Sequence, residues 1–265
     1  MDPEYVAARR VLLDALESLG AQRQAVVLVG AQALYLHVGE GDLAIAPFTT
    51  DADLVIHPRL LDDEPLIAEA LGSRGFRLSI TPGTWSLHGV QVDLMVPASL
   101  GGSGRRGARL GLYGAEVARK TAGLEAALVD CALHTLGALE GDDPRRIGVR
   151  VAGPAGLLVA KVHKLAERAS APARWAPKDG LDVLRILRGC DLTVLGGRLS
   201  ELERDPIAWA SAQQARSDFA HLFTRRGHGI AMLLRATAGL DDAEILAASC
   251  EVLAKQLLAA WGPAS

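Results

Sequence analysis

Cysteine is scarce in this 265-residue chain: Cys131, Cys190 and Cys250 are far apart and odd in number. No Cys-x-x-Cys spacing occurs, which excludes a zinc ribbon and a disulfide framework. The three read as small, reduced, mostly buried residues of a cytoplasmic protein. Aromatic residues are only 4% of the chain. Trp85, Trp209 and Trp261 therefore read as packing residues, and Trp175, in a loop beside a lysine-bearing helix, is the exception worth testing. Neither sign of charge dominates. A formal net charge of -3 argues against a whole-surface nucleic-acid binder but leaves room for a local basic groove. Long apolar runs are missing too. Leu157-Leu158-Val159-Ala160 is stopped at once by Lys161, so no membrane span or membrane partner is expected. The opening Met1-Asp2-Pro3-Glu4 is acidic and lacks the apolar core of a signal peptide. There is no serine nucleophile elbow and no Gly-Lys-Ser phosphate loop. None of the seven histidines has a partner at metal-binding spacing, and His57 alone lies near the acidic motif described next.

What the chain has is acids on strands. In Thr50-Asp51-Ala52-Asp53-Leu54-Val55-Ile56, residues Asp51, Asp53 and Val55 share one face, while Ala52, Leu54 and Ile56 share the other. In Val90-Gln91-Val92-Asp93-Leu94-Met95-Val96, Asp93 lies opposite the apolar set Val90, Val92, Leu94 and Val96. If the two strands pair, three carboxylates point at one spot, and their repulsion asks for a cation. A hard divalent ion with oxygen ligands, Mg²⁺ or Mn²⁺, is the natural choice. Turns also favour Asp, so the plainer reading is a capped turn and a solvated strand face. Two acids aligned on one face of a strand favour the functional reading, because strands otherwise disfavour Asp. Upstream, Val26-Val27-Leu28-Val29-Gly30-Ala31-Gln32-Ala33 reads as a buried strand, a glycine break and a helix start. Such a turn lets backbone N–H groups approach phosphate.

About half the residues are hydrophobic, enough for a packed core in one large domain or two modest ones. A first helix is expected from Asp2 as N-cap and Pro3 to Gly20. Further elements are expected as a strand at 26–29, a helix to His37, the carboxylate strand to His57, a helix over 64–71, strands at 76–80 and 85–88, and the Asp93 strand ending at Pro97. The segment 109–129 is the least readable. The glycine-rich run 101–107 reads as a solvated loop, or alternatively as a phosphate or RNA clamp through Arg105, Arg106 and Arg109. A boundary is expected near Gly148–Pro154, beyond which strand signals fade and helices dominate, including 208–224, 230–237 and 241–261. One such helix carries Lys161, Lys164 and Arg168 beside its apolar stripe, and the next opens with Lys178-Asp179-Gly180-Leu181-Asp182. These lysines and aspartates read either as a triphosphate cradle or as a helix–helix ion-pair network.

The order apolar strand–Gly–helix, Asp-x-Asp, then a lone strand Asp resembles the nucleotidyltransferase superfamily of DNA polymerase β type. Within it the chain looks most like the bacterial AbiEii/AbiGii-type nucleotidyltransferases, several of which are toxins of toxin–antitoxin pairs. The core motifs fall in residues 25–97 and a weaker likeness reaches about residue 188. The chain departs from the pattern at Gly30-Ala31, where the family has Gly-Gly or Gly-Ser, and in Gly39-Glu40-Gly41-Asp42, which looks like an inserted loop. The resemblance implies an α+β fold: a nucleotidyltransferase-like mixed sheet with flanking helices over 1–150, then a helical C-terminal domain over 151–265. It implies Asp51, Asp53 and Asp93 as catalytic and metal-binding acids, Asp51 and Asp53 holding two divalent ions and Asp93 completing the nucleophile-side site. Gly30, Ala31, Gln32, Thr50, Lys161 and Lys164 would bind nucleotide. The implied reaction is transfer of a nucleoside monophosphate from an NTP to a hydroxyl of tRNA or protein, with a cognate antitoxin as a further partner. Two other readings stay open: a small-molecule nucleotidyltransferase of the aminoglycoside-modifying type, and a non-catalytic nucleotide- or partner-binding protein.

Overall fold

A computed structural model describes residues 2–39, 49–169, 171, 173 and 175–262. The fold is α+β, a mixed open sheet with flanking helices followed by a helical C-terminal region. Helix α1 (Pro3–Ser18) begins as its sequence demands: the Asp2 carboxylate accepts from the N–H of Glu4 at 2.8 Å, and Pro3 opens the first turn. Leu12, Leu13 and Leu16 form its buried stripe against β2, β5 and β8 of the sheet. Then come β1 (Val26–Val29), buried throughout, and α2 (Gly30–Val38). The inserted loop expected around Gly39-Glu40-Gly41-Asp42 lies outside the described residues from position 40 onward.

The carboxylate strands are β2 (Asp51–Ile56) and β5 (Val90–Pro97). Between them stand α3 (Ile67–Ser73), β3 (Arg77–Leu78) and β4 (Thr84–Leu87). The helix expected from residue 64 starts three residues late because Pro65 disfavours helical backbone at Glu64. The strand expected over 76–80 shrinks to two exposed residues at the sheet edge. Residues 109–129 yield a single 3-10 turn (Gly111–Tyr113), strand β6 (Arg119–Thr121) and short helix α4 (Glu125–Val129).

Strands β7 (Cys131–Gly137) and β8 (Arg146–Ala152) form an antiparallel pair. This hairpin was not anticipated; it ends at Ala152, within the 148–154 stretch beyond which helices were expected to dominate. Its signature is the alternation of buried Ile147, Val149 and Val151 with exposed Arg146, Gly148 and Arg150. The sheet order is β3-β4-β5-β2-β1-β8-β7, with β6 pairing β5 beyond the end of β4. Strand β1 is antiparallel to β2 and parallel to β8, while β2 is parallel to β5.

From Pro154 the chain is helical: α5 (Pro154–Ala169), α6 (Pro177–Gly189), α7 (Leu192–Leu202), α8 (Trp209–Phe223), α9 (His228–Ala236) and α10 (Ala243–Trp261). Helix α7 was not anticipated; Gly196 and Gly197 weaken its propensity. Asp191 caps it through the N–H groups of Thr193 and Val194, and Gly196 lets it pack closely on Ala260 of α10. Helix α2 packs against both α5 and α6, which brings the lysine helix over the carboxylate strands. No described helix is long and apolar enough to cross a membrane.

Candidate active site

The register sets the site. Thr84 of β4 faces Asp93 of β5, Asp93 faces Asp53 of β2, and Asp53 faces Val29 of β1. These four residues form one row across the sheet. The alternation rule holds: Ala52, Leu54, Val92 and Leu94 are fully buried on the other face. Gly30 follows Val29 with φ +70, and a Cβ there would lie 2.1 Å from Oδ2 of Asp53. Only glycine permits both that backbone and that approach.

A cavity of about 830 Å³ opens above the row. Its floor includes Gly30, Asp53 and Asp93, and its far wall carries Lys161, Lys164 and Arg168 of α5. Arg119 and Lys120 of β6 close one side, and Glu167 and Asp218 also reach it. Thus two of the three expected acids and both expected lysines line one cavity with the expected glycine. Asp51, Ala31, Gln32 and Thr50 are not among its lining residues. Asp51 sits on the same face one pleat away and accepts from Thr49 Oγ1 at 2.5 Å. Ala31 is buried, and Thr50 is exposed at the bend before β2. Gln32 is buried and holds the strand: Nε2 donates to the Asp51 carbonyl at 3.0 Å, and Oε1 accepts from Arg9 Nε at 2.8 Å. Its side chain is committed to that role in this conformation. Arg105, Arg106 and Arg109 do not line the cavity either, but Lys120 Nζ donates to the carbonyls of Gly102 and Gly104, tying the glycine-rich loop to its rim.

Asp51 and Asp53 were expected to hold two divalent ions, with Asp93 completing the site. Among the described residues no three acid, His or Cys side chains come close enough to hold a metal. Asp93 is already engaged at both oxygens: Arg119 Nη1 donates to Oδ2 at 2.8 Å and Thr84 Oγ1 to Oδ1 at 2.8 Å. Asp53 has no hydrogen bond to its carboxylate among the described residues. Burial, then the charge of Asp51, lifts its pKa to about 6; Lys164 opposes this, Asp93 adds to it, and Lys161 opposes it. A carboxylate that resists its own charge is a site in want of a cation. The donors fit a divalent ion held by Asp51 and Asp53, with water and substrate oxygens as the other ligands, which is how Mg²⁺ is commonly bound. They do not fit a three-carboxylate cage.

The lysine wall is built as an ion-pair network. Lys161 Nζ donates to Asp179 at 2.9 Å and to Asp182 at 2.7 Å, all buried. Burial alone would lower the Lys161 pKa, but Asp182 and Asp179 outweigh it and hold the ammonium charged. Asp179 also accepts from Lys164 at 3.1 Å and Arg168 at 3.0 Å, and burial, which would raise its pKa, is overcome by Lys161 and then Lys164, which pull it to about 2. Asp182 is completed by Arg185 at 3.2 Å. The ion-pair network between α5 and α6 is present, and Lys161, Lys164 and Arg168 of that network also line the cavity. Lys164 remains 44% exposed at its side chain where it lines the cavity. Lys178 also belongs here. Burial lowers its pKa, and it feels Asp182, Lys161 and Asp51.

Arg119 was missed from sequence. Its signal was weak: three residues of strand, Arg119-Lys120-Thr121, in a segment with no clear period. No family model, curated protein or solved structure matches this chain.

Proposed function

We propose that the chain is a metal-dependent nucleotidyltransferase that moves a nucleoside monophosphate from an NTP to an acceptor hydroxyl. The observation that carries this is a bipolar cavity: the Asp53 carboxylate, pressed against Gly30 and accepting no hydrogen bond among the described residues, faces Lys164 and Arg168 across one space. A metal-chelated polyphosphate is both cationic and anionic at adjacent points, and this cavity complements it. Asp51 and Asp53 would hold the ion, which when bound neutralises phosphate charge and acidifies a hydroxyl. Lys164 and Arg168 would bind the β- and γ-phosphates as charge-assisted donors. The backbone at Gly30 opens α2 and approaches the phosphates from the helix N-terminus. The acceptor oxygen then forms a bond to the α-phosphorus as the α–β phosphoanhydride bond breaks. The hydroxyl proton leaves to solvent or a carboxylate, and pyrophosphate departs against the lysine wall.

By its resemblance to AbiEii-type proteins, the acceptor is a tRNA 3′ end or a protein hydroxyl, and the chain is the toxin of a toxin–antitoxin pair. The aminoglycoside-type reading needs an acidic acceptor pocket. Glu167 and Asp218 supply only part of one, beside Arg119, Lys120, Lys164 and Arg168. The purely binding reading separates by its outcome, NTP binding without turnover. Calorimetry with each NTP and Mg²⁺ tests the site itself. Binding that weakens at least about tenfold in both Asp53→Asn and Lys164→Met supports the reading, and equal binding by all three chains refutes it.

A further inference from the structure

Among the described residues, Asp93 is the one acid of the three in a salt bridge. Arg119 and Thr84 take one oxygen each, both at 2.8 Å. Arg119 Nη2 also lies 3.3 Å from Met95 Sδ, so the guanidinium is held at two points. The strand register produces this. Arg119 of β6 is the register partner of Met95, and Met95 shares a face with Asp93. The pair is largely withdrawn from water, with side chains 29% and 16% exposed, which strengthens a charge-assisted bond. Asp53, opposite Asp93 in the neighbouring strand, has no comparable donor among the described residues.

We propose that Arg119 is the built-in cation of this site. It occupies the charge position at Asp93, so the chain holds a single divalent ion, on Asp51 and Asp53, where a three-acid site would hold two. Asp93 is then a positioning residue: it aims the Arg119 guanidinium into the cavity, where that group faces bound phosphate or acceptor. This rests on the metal-dependent reading above and narrows it. An oxygen already accepting from a guanidinium is a poor ligand for a second cation, and a dication beside Arg119 would meet like charge.

The test is a Mn²⁺ titration followed by electron paramagnetic resonance, with and without a non-hydrolysable NTP analogue, on the full chain. Without nucleotide the wild type takes one ion. Asp93→Asn leaves the Arg119 charge unmatched, so its Mn²⁺ affinity falls a few-fold, whereas Asp53→Asn loses more than about tenfold. Arg119→Gln frees Asp93 and raises the count to two; Arg119→Lys keeps it at one. Two ions on the wild type overturn this inference and leave the nucleotidyltransferase reading standing. So does a tenfold loss in Asp93→Asn, or a count of one in an Arg119→Gln variant with an unchanged melting curve. If Arg119→Gln does not fold, Asp93→Asn decides. No bound Mn²⁺ on the wild type under either condition overturns the metal-dependent reading and this inference with it.

Discussion

Replacing Gly30 by alanine would strike the site at its tightest point. The residue has φ +70, in the left-handed region, where a Cβ costs about 1–2 kcal/mol. That Cβ would also fall 2.1 Å from Asp53 Oδ2, 2.9 Å from its Cγ and 3.0 Å from its Cβ. Rotating the carboxylate relieves the first contact but not the other two, so β2 or the start of α2 must shift. Overpacking of this kind adds about 1–3 kcal/mol. Gly30→Ala is therefore expected to lose about 2–5 kcal/mol in all, read as a lower urea midpoint with an unchanged slope. In the protein that remains folded, Asp53 is displaced, and Mn²⁺ affinity should fall with it. Wild-type stability together with wild-type Mn²⁺ affinity in Gly30→Ala would refute the close approach on which the site is built.

Other expectations follow from the charges. Lys161→Met leaves Asp179 and Asp182 buried with one cation fewer; because Lys164, Arg168 and Arg185 remain, the loss should be about 3 kcal/mol, at the low end for a broken buried pair, by urea denaturation. Lys164→Met, at an exposed position, should barely move the melting temperature yet weaken NTP binding about tenfold; a large stability loss with unchanged binding would make the lysine structural only. Asp53 has a folded-state pKa raised to about 6, so its ionised form destabilises the fold above that pH. Stability from this group is gained as pH falls from about 6 toward the unfolded value of about 4, and Mn²⁺ binding is lost over the same fall. A titration should show both effects in the wild type and neither in Asp53→Asn. Asp179 runs the opposite way. Its pKa is held near 2, so its contribution is present above about 4 and disappears as pH falls toward 2.

The parts of this architecture written in period and punctuation could be read in advance. Asp2-Pro3 marks a helix start, Val26–Val29 a buried strand, and the two alternating acid strands predict both the shared face and the row that register confirms. Hairpin β7–β8 was legible by the same rule in Ile147, Val149 and Val151 and was passed over, while Pro154 did mark the start of the helical region. What could not be read is lateral placement. Nothing in Arg119-Lys120-Thr121 says that three residues of strand will dock beyond β4 and bring a guanidinium to Asp93. Likewise, Gln32 stands where a phosphate contact was expected, yet the bonds from Arg9 and to the Asp51 carbonyl come from elements distant in sequence. Side-chain commitments of that kind depend on tertiary neighbours, not on local pattern.

The most direct test of the nucleotidyltransferase reading is pyrophosphate release with each of the four NTPs and Mg²⁺ or Mn²⁺, in the presence of bulk tRNA, comparing wild type with the Asp51→Ala, Asp53→Ala double variant. The account predicts metal-dependent release by the wild type with at least one NTP, and none from the variant. Equal release by both chains would contradict it.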